Sequence, residues 1–185
     1  MTPQNSNGPQ KVPYETRPEG TMATLMEISL LHQQSVPYYR QASEQLEGSN
    51  GKASAYFKDL ADYHENAQAA LNEKLSDMSA GVSTPSHDSF PYLKEHENDF
   101  IRAANAKNVS QLAQLAYQNE NGISDAYRHA LGNRKVDDFA EQLLHDQHEA
   151  VLEWVNRADR YKTVPQDEMK KPDGNGVSAK HDTTE

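Results

Sequence analysis

Eight histidines and 28 acidic residues, with no cysteine, confine the side-chain chemistry of this chain to imidazole, carboxylate, amide, amine and hydroxyl groups. Disulfides, thiol catalysis and thiolate metal sites are therefore excluded. Four residues combine a metal-ligating type with a place near the middle of an apolar helical stripe: His32, His64, Glu120 and His148. Imidazole with carboxylate suits iron or another divalent ion, which makes these four the candidate metal ligands. His64 lies inside its stripe, His32 and Glu120 at the edges of theirs, and His148 on a flank. Three neutral polar residues, Ser35, Asn119 and Gln147, fall inside the stripes. Buried polar groups are costly unless paired, so a set of them at one height calls for a common purpose. His87, His96, His129 and His181 fall on the long connection, on outward faces or near the C-terminal end, and take no role. There is no Gly-rich phosphate loop, nucleophile elbow or Ser–His–Asp ordering, so no catalytic residue is assigned.

The elements that must position these side chains are helices, because the apolar period is helical throughout and no segment alternates like a strand. Five are expected: about 22–47, 52–78, 89–106, 109–131 and 134–161. Thr24 and Glu27 suggest a capping box for the first. Pro91 falls in the first turn of the third, where its missing N–H does no harm. Asn108 suits the N-cap of the fourth, and Asp137 and Asp138 the positive end of the fifth. Pro37 removes a helical hydrogen bond and predicts a kink in the first helix. Asn119-Glu120-Asn121-Gly122 is a poor helical run, but the stripe resumes in phase at Ile123, so the helix is expected to continue. Gly122 is a candidate for a close helix crossing. The fifth helix should bury Val136, Phe139, Leu143, Val151, Trp154 and Ala158. The links at 48–51 and 132–133 are short and make antiparallel hairpins, whereas 79–108 is long. Two hairpins joined by one long crossover, carrying a short helix, define an all-α ferritin-like four-helix bundle.

Composition narrows the function classes. The net charge is −10 and the pI about 5.2, which argues against phosphate-backbone binding and so against nucleic acid. No run approaches the ~20 apolar residues of a spanning helix, so no membrane role is expected. The beginning of the chain lacks the pattern of a secretory signal, pointing to a cytoplasmic protein. Residues 1–20 and 163–185 are rich in Pro, Gly and polar residues and are expected to be disordered tails flanking one domain, 21–162. The tails carry 0 and −2, so −8 of the −10 belongs to the domain. Asp59, Asp62, Glu65 and Glu73 form an acidic face on the second helix, read as solvated, with an iron-attracting exterior as the sharper alternative.

Tyr39 and Ala42, the stretch YFKDLADYHENAQAAL (Tyr56 to Leu71), Glu120 seven residues before Tyr127, and YRHAL (Tyr127 to Leu131) resemble the ferritin-like superfamily. They look closest to a bacterial ferritin-like family of unknown function linked to stress responses. The resemblance covers about 23–161 and implies the bundle. It also implies a di-iron centre built from Glu on two helices and Glu-x-x-His on the other two, yet the sequence contains no Glu-x-x-His. Glu65 with Gln68, and Glu141 with His145, are the nearest spacings.

Three readings follow. A non-enzymatic, stress-associated bundle without a cofactor would use the polar layer as a structural device; replacing Asn119 and Gln147 together by Leu would then be neutral or stabilising. A divergent protein with oxidase or storage activity would bind iron or another divalent ion at His64, Glu120 and His148, with His32. A bundle binding a small ligand or partner would use the amides and histidines to orient it. Tyr39, Tyr56 and Tyr127 are core residues with a hydroxyl to satisfy, or sites of radical chemistry beside iron. The sequence leaves the oligomeric state open: the superfamily resemblance implies a homodimer or larger homo-oligomer, and the apolar crossover residues Phe90, Leu93, Phe100 and Ile101 would cover the bundle or a neighbouring subunit.

Overall fold

The computed structural model describes residues 18–78, 92–132, 136 and 138–163. These residues form six helices: α1 (Pro18–Leu46), α2 (Gly51–Met78), α3 (Tyr92–Glu95), α4 (Glu97–Asn105), α5 (Val109–Gly132) and α6 (Asp138–Thr163). Among the described residues there is no strand. The tail expectations for 1–17 and 164–185, and those for His87, Phe90, Pro91, Asp137, Phe139 and His181, lie outside the described residues.

The four long helices are built on alternating spacings of three and four. Leu25, Ile28, His32, Ser35, Tyr39, Ala42 and Leu46 are all buried along α1, and Ala53, Phe57, Leu60, His64, Ala67 and Leu71 along α2. In α6 the buried series is Ala140, Leu144, Gln147, Val151, Trp154 and Ala158. A 3.5-residue repeat keeps one seam against a neighbouring helix and packs side chains as knobs into holes. Val136, Val151, Trp154 and Ala158 are buried as expected, whereas Leu144 takes the inward place expected for Leu143, which is only half-buried.

Tight hairpin chemistry sets the α1–α2 pair. Gly48 takes φ +74°, a left-handed conformation that glycine adopts without a Cβ penalty. Asn50 then caps α2, its Oδ1 accepting the Ala53 N–H at 3.1 Å. Asn108 caps α5 in the same way, accepting from Gln111 N at 3.1 Å, as its type predicts. Ser110 Oγ donates to Lys162 O at 3.0 Å, placing the start of α5 beside the end of α6. The pairs α1–α2 and α5–α6 are antiparallel, and α1 also packs on α5 while α2 packs on α6. One cluster, including Leu46, Phe57, Phe100, Leu112 and Trp154, fills the upper end. The other, including Leu25, Leu71, Ile123 and Val151, fills the lower end. α3 and α4 lean on α5 and α1 at the upper end.

Several local expectations change. Thr24 lies within α1 and donates its hydroxyl to Gly20 O at 3.0 Å, so it does not cap, because the helix starts at Pro18. α1 stays helical through Pro37; Pro37 and Gln33 are both exposed, leaving the freed Gln33 carbonyl open to water. The expected continuity of α5 across 119–122, by contrast, holds. Gly122 is exposed and a Cβ there would meet nothing within 4 Å, so it mediates no close crossing. The expected helix 89–106 is broken at His96, whose ring stacks on Tyr92 at 3.9 Å while its Nδ1 donates to the Tyr92 carbonyl at 3.0 Å.

Candidate functional site

Between the two apolar clusters, the central positions of all four long helices are polar. His32 and Ser35 come from α1, His64 from α2, Asn119 and Glu120 from α5, and Gln147 from α6. All are buried, with His32, His64 and Glu120 each at 0 % exposure. Burial of His32 and Glu120 exceeds the expected edge positions. In α5 a second buried row, Ala113, Glu120 and Ser124, runs beside the main one: Glu120 faces Tyr39 of α1 and His64 of α2, and Ser124 faces His148 of α6.

The layer is a continuous hydrogen-bonded run. His32 Nδ1 lies 2.7 Å from His64 Nδ1, and His32 Nε2 lies 2.6 Å from the Tyr127 hydroxyl. His64 Nε2 reaches Glu120 Oε1 at 3.1 Å, and Tyr39 donates its hydroxyl to the same oxygen at 2.5 Å. Charge-assisted bonds of this kind are the short, strong ones. Tyr127 donates to Gln147 Oε1 at 2.7 Å, and Gln147 Nε2 donates to Ala67 O at 3.0 Å. Tyr63 donates to the Gln147 backbone carbonyl at 3.0 Å. On the other side Asn119 Nδ2 faces Ser35 Oγ and Tyr39 OH at 3.0 Å each and Glu120 Oε1 at 3.2 Å. Asn119 Oδ1 accepts from Leu93 N at 3.5 Å, which ties α3 to the layer. Ser35 itself donates to Leu31 O at 2.9 Å.

The electrostatics follow from dryness and neighbours. Burial, then the positive influence of His64, holds His32 well below the ordinary imidazole range. Burial, then Glu120, pushes the Tyr39 phenol well above its ordinary value. Burial with Tyr63 and Glu120 does the same to Tyr127, and burial with Glu120 to Tyr63. The tyrosines therefore remain protonated donors. Glu120 Oε2 and Tyr56 OH are buried without a hydrogen-bond partner.

The structure thus brings together His32, His64, Glu120, Ser35, Asn119 and Gln147. His148 stands aside: its Nε2 lies 3.0 Å from Ser124 Oγ and its ring faces Tyr127 at 6.0 Å. Burial, then Arg128 and His145, lowers its basicity. Glu65 turns outward to Arg40, at 2.6 Å from its guanidinium, and Glu141 and His145 are exposed. Tyr39, Tyr63 and Tyr127 are the members not singled out as site residues; Tyr39 shares the three-four spacing with His32 and Ser35, which is the signal that could have found it.

Among the described residues, no group of three His, Cys, Asp or Glu side chains is disposed to hold a metal ion. A di-iron centre needs four carboxylates, whereas this layer supplies Glu120 alone, and the two Nδ1 atoms face each other rather than a shared point. The donors do not fit that cofactor. Grooves of about 310 Å³ between α1 and α5 (Glu27, Ile28, Asp125, His129) and about 340 Å³ between α1 and α2 (Met26, Leu30, Gln68, Asn72) include no residue of the layer. Comparison of the chain with family models, curated proteins and solved structures gave no match.

Proposed function

We propose that this chain is a non-enzymatic protein of the ferritin-like bundle arrangement, stress-associated and cytoplasmic, that acts through its surface and its assembly rather than through a reaction at its centre. Two antiparallel hairpins joined by one long crossover support the ferritin-like reading. The observation that carries the non-enzymatic reading is the engagement of all four ring nitrogens of His32 and His64 with Tyr127, Glu120 and each other. Imidazoles spent in this way are unavailable to a substrate. The acidic charge favours a protein partner, a second copy included, over nucleic acid. No described helix is long and apolar enough to cross a membrane.

A divergent metal site is the second reading, favoured by the buried, unpartnered Glu120 Oε2. The test is metal content by mass spectrometry on untagged protein before and after anaerobic Fe(II) loading. The non-enzymatic reading expects well under one ion per chain in both. One or two ions per chain, lost in His64→Ala, would replace it with the metal reading.

A further inference from the structure

The direction of the hydrogen-bonded run fixes how many protons it holds. A carbonyl oxygen only accepts, so Ala67 O requires the amide nitrogen of Gln147 at 3.0 Å and turns Oε1 toward Tyr127. That oxygen carries no hydrogen, so the single Tyr127 hydroxyl proton goes to it, at 2.7 Å. The Tyr127 oxygen then has only a lone pair to offer His32 Nε2, at 2.6 Å, and His32 must be protonated there. At the other end Glu120 Oε1 receives Tyr39 and Asn119, and the 3.1 Å contact from His64 Nε2 holds a further proton. Between the two rings, the 2.7 Å separation of the Nδ1 atoms also requires one. His32 has neutral partners on its outer nitrogen, whereas His64 faces a carboxylate, so the proton between the rings belongs to His64.

We propose that the mid-bundle layer is a proton-binding site, in which His64 is an imidazolium facing the Glu120 carboxylate and His32 is neutral with its proton on Nε2. His32, His64 and Glu120 then carry no net charge between them. Without the additional proton the layer would bury an uncompensated carboxylate, since Glu120 has His64 as its only salt-bridge partner among the described residues. The low basicity of His32, set by burial and by His64, agrees with this assignment.

The bound proton is also a latch. It supplies the buried hydrogen bond between the His32 ring of α1 and the His64 ring of α2; when it leaves, two nitrogen lone pairs face each other at 2.7 Å. The titratable groups facing the pair are Tyr39 on α1, Tyr56 and Tyr63 on α2, Glu120 and Tyr127 on α5, and His148 on α6 behind Tyr127. Burial and the neighbouring Glu120 keep all four phenols protonated. This inference does not depend on the ferritin-like reading.

The experiment is a two-bond proton–nitrogen correlation spectrum of the full chain labelled with ¹⁵N-histidine at neutral pH. The expected result is a doubly protonated ring assigned to His64 and an Nε2–H tautomer for His32. In Glu120→Gln the doubly protonated signal should disappear. A neutral His64 in the native chain, or a proton on His32 Nδ1, would overturn the proposal, and that spectrum needs no variant to fold. Persistence of the imidazolium in a folded Glu120→Gln chain would overturn the pairing with the carboxylate.

Discussion

Tyr39 and Tyr56 offer a matched perturbation, because both are fully enclosed and Tyr→Phe removes only a hydroxyl from each. The Tyr39 hydroxyl donates to a buried carboxylate at 2.5 Å and accepts from Asn119 at 3.0 Å. A hydrogen bond to a charged group contributes about 1.5–3 kcal/mol, so Tyr39→Phe should destabilise by about that amount. The Tyr56 hydroxyl has no partner. Enclosing an unsatisfied hydroxyl costs about 1–3 kcal/mol, so Tyr56→Phe should be neutral or stabilising by up to that amount. Ring packing cancels, since Tyr39 keeps its stack on His64 and Tyr56 its contacts with Phe57 and Trp154 in either form. For a chain of this length, each kcal/mol moves the melting midpoint by about 2–4 °C. The two variants should therefore separate by several degrees in opposite directions when followed by circular dichroism, with urea midpoints as a second measure. If Tyr56→Phe lost as much as Tyr39→Phe, the hydroxyl accounting of the upper half of the layer would be wrong.

Three further outcomes are expected. Gly122→Ala should raise stability by about 1 kcal/mol, because the site is an exposed helix interior with open space for a Cβ; a loss on urea titration would mean the glycine serves a contact. His32, held well below the ordinary imidazole range in the folded chain, takes up its proton near pH 6.5 only when unfolded. Its contribution to stability is therefore full above that pH and falls as pH drops below it, by about 1.4 kcal/mol per unit at most; His32→Gln should flatten the urea midpoint against pH between neutral and mildly acid conditions, and an unchanged slope would refute the assignment. Replacing Asn119 and Gln147 together by Leu should cost about 2–4 kcal/mol, because Leu93 N, Tyr127 OH and Ala67 O would lose buried partners. That reverses the neutral outcome expected when the two amides were seen only as intruders in apolar stripes, and a neutral double variant in thermal melts would restore it.

The sequence made the stripe residues legible and the reach of their neighbours illegible. Ser35, His64, Asn119 and Gln147 sit at spacings of three and four among aliphatic residues, so a helical projection finds them directly. Glu120 does not belong to the main row of α5, and its burial depends on Tyr39 and His64, 81 and 56 residues away in the chain. No local pattern encodes such partners. In α6, Val136, Gln147, Val151, Trp154 and Ala158 are inward as expected, and only Leu144 replaces Leu143, because at a 3.5-residue repeat the two leucines lie equally far from the seam through Gln147. The break at His96 was hidden for another reason: it arises from a ring stacked on Tyr92 and a side chain bonded to the helix backbone, neither of which disturbs the apolar period.

Why a bundle should carry this layer follows from its otherwise repetitive core. Above and below the layer the seams are filled largely by Leu, Ala, Ile and Val, which pack tolerably in more than one register. Sliding one helix by a heptad, about 10.5 Å, would keep most of those contacts. It would not keep the layer. Glu120 would face apolar side chains, and Gln147 would leave Tyr127 and the Ala67 carbonyl unpaired, so each wrong register carries the desolvation of a carboxylate and of neutral groups together. The polar residues come from all four long helices, and Asn119 extends the restraint to α3 through Leu93 N. A device that penalises every misalignment of this set is worth more to a four-helix core than the stability an all-aliphatic layer would add, which is the physical case for an ionisable cluster at the centre of a protein whose core groups face one another.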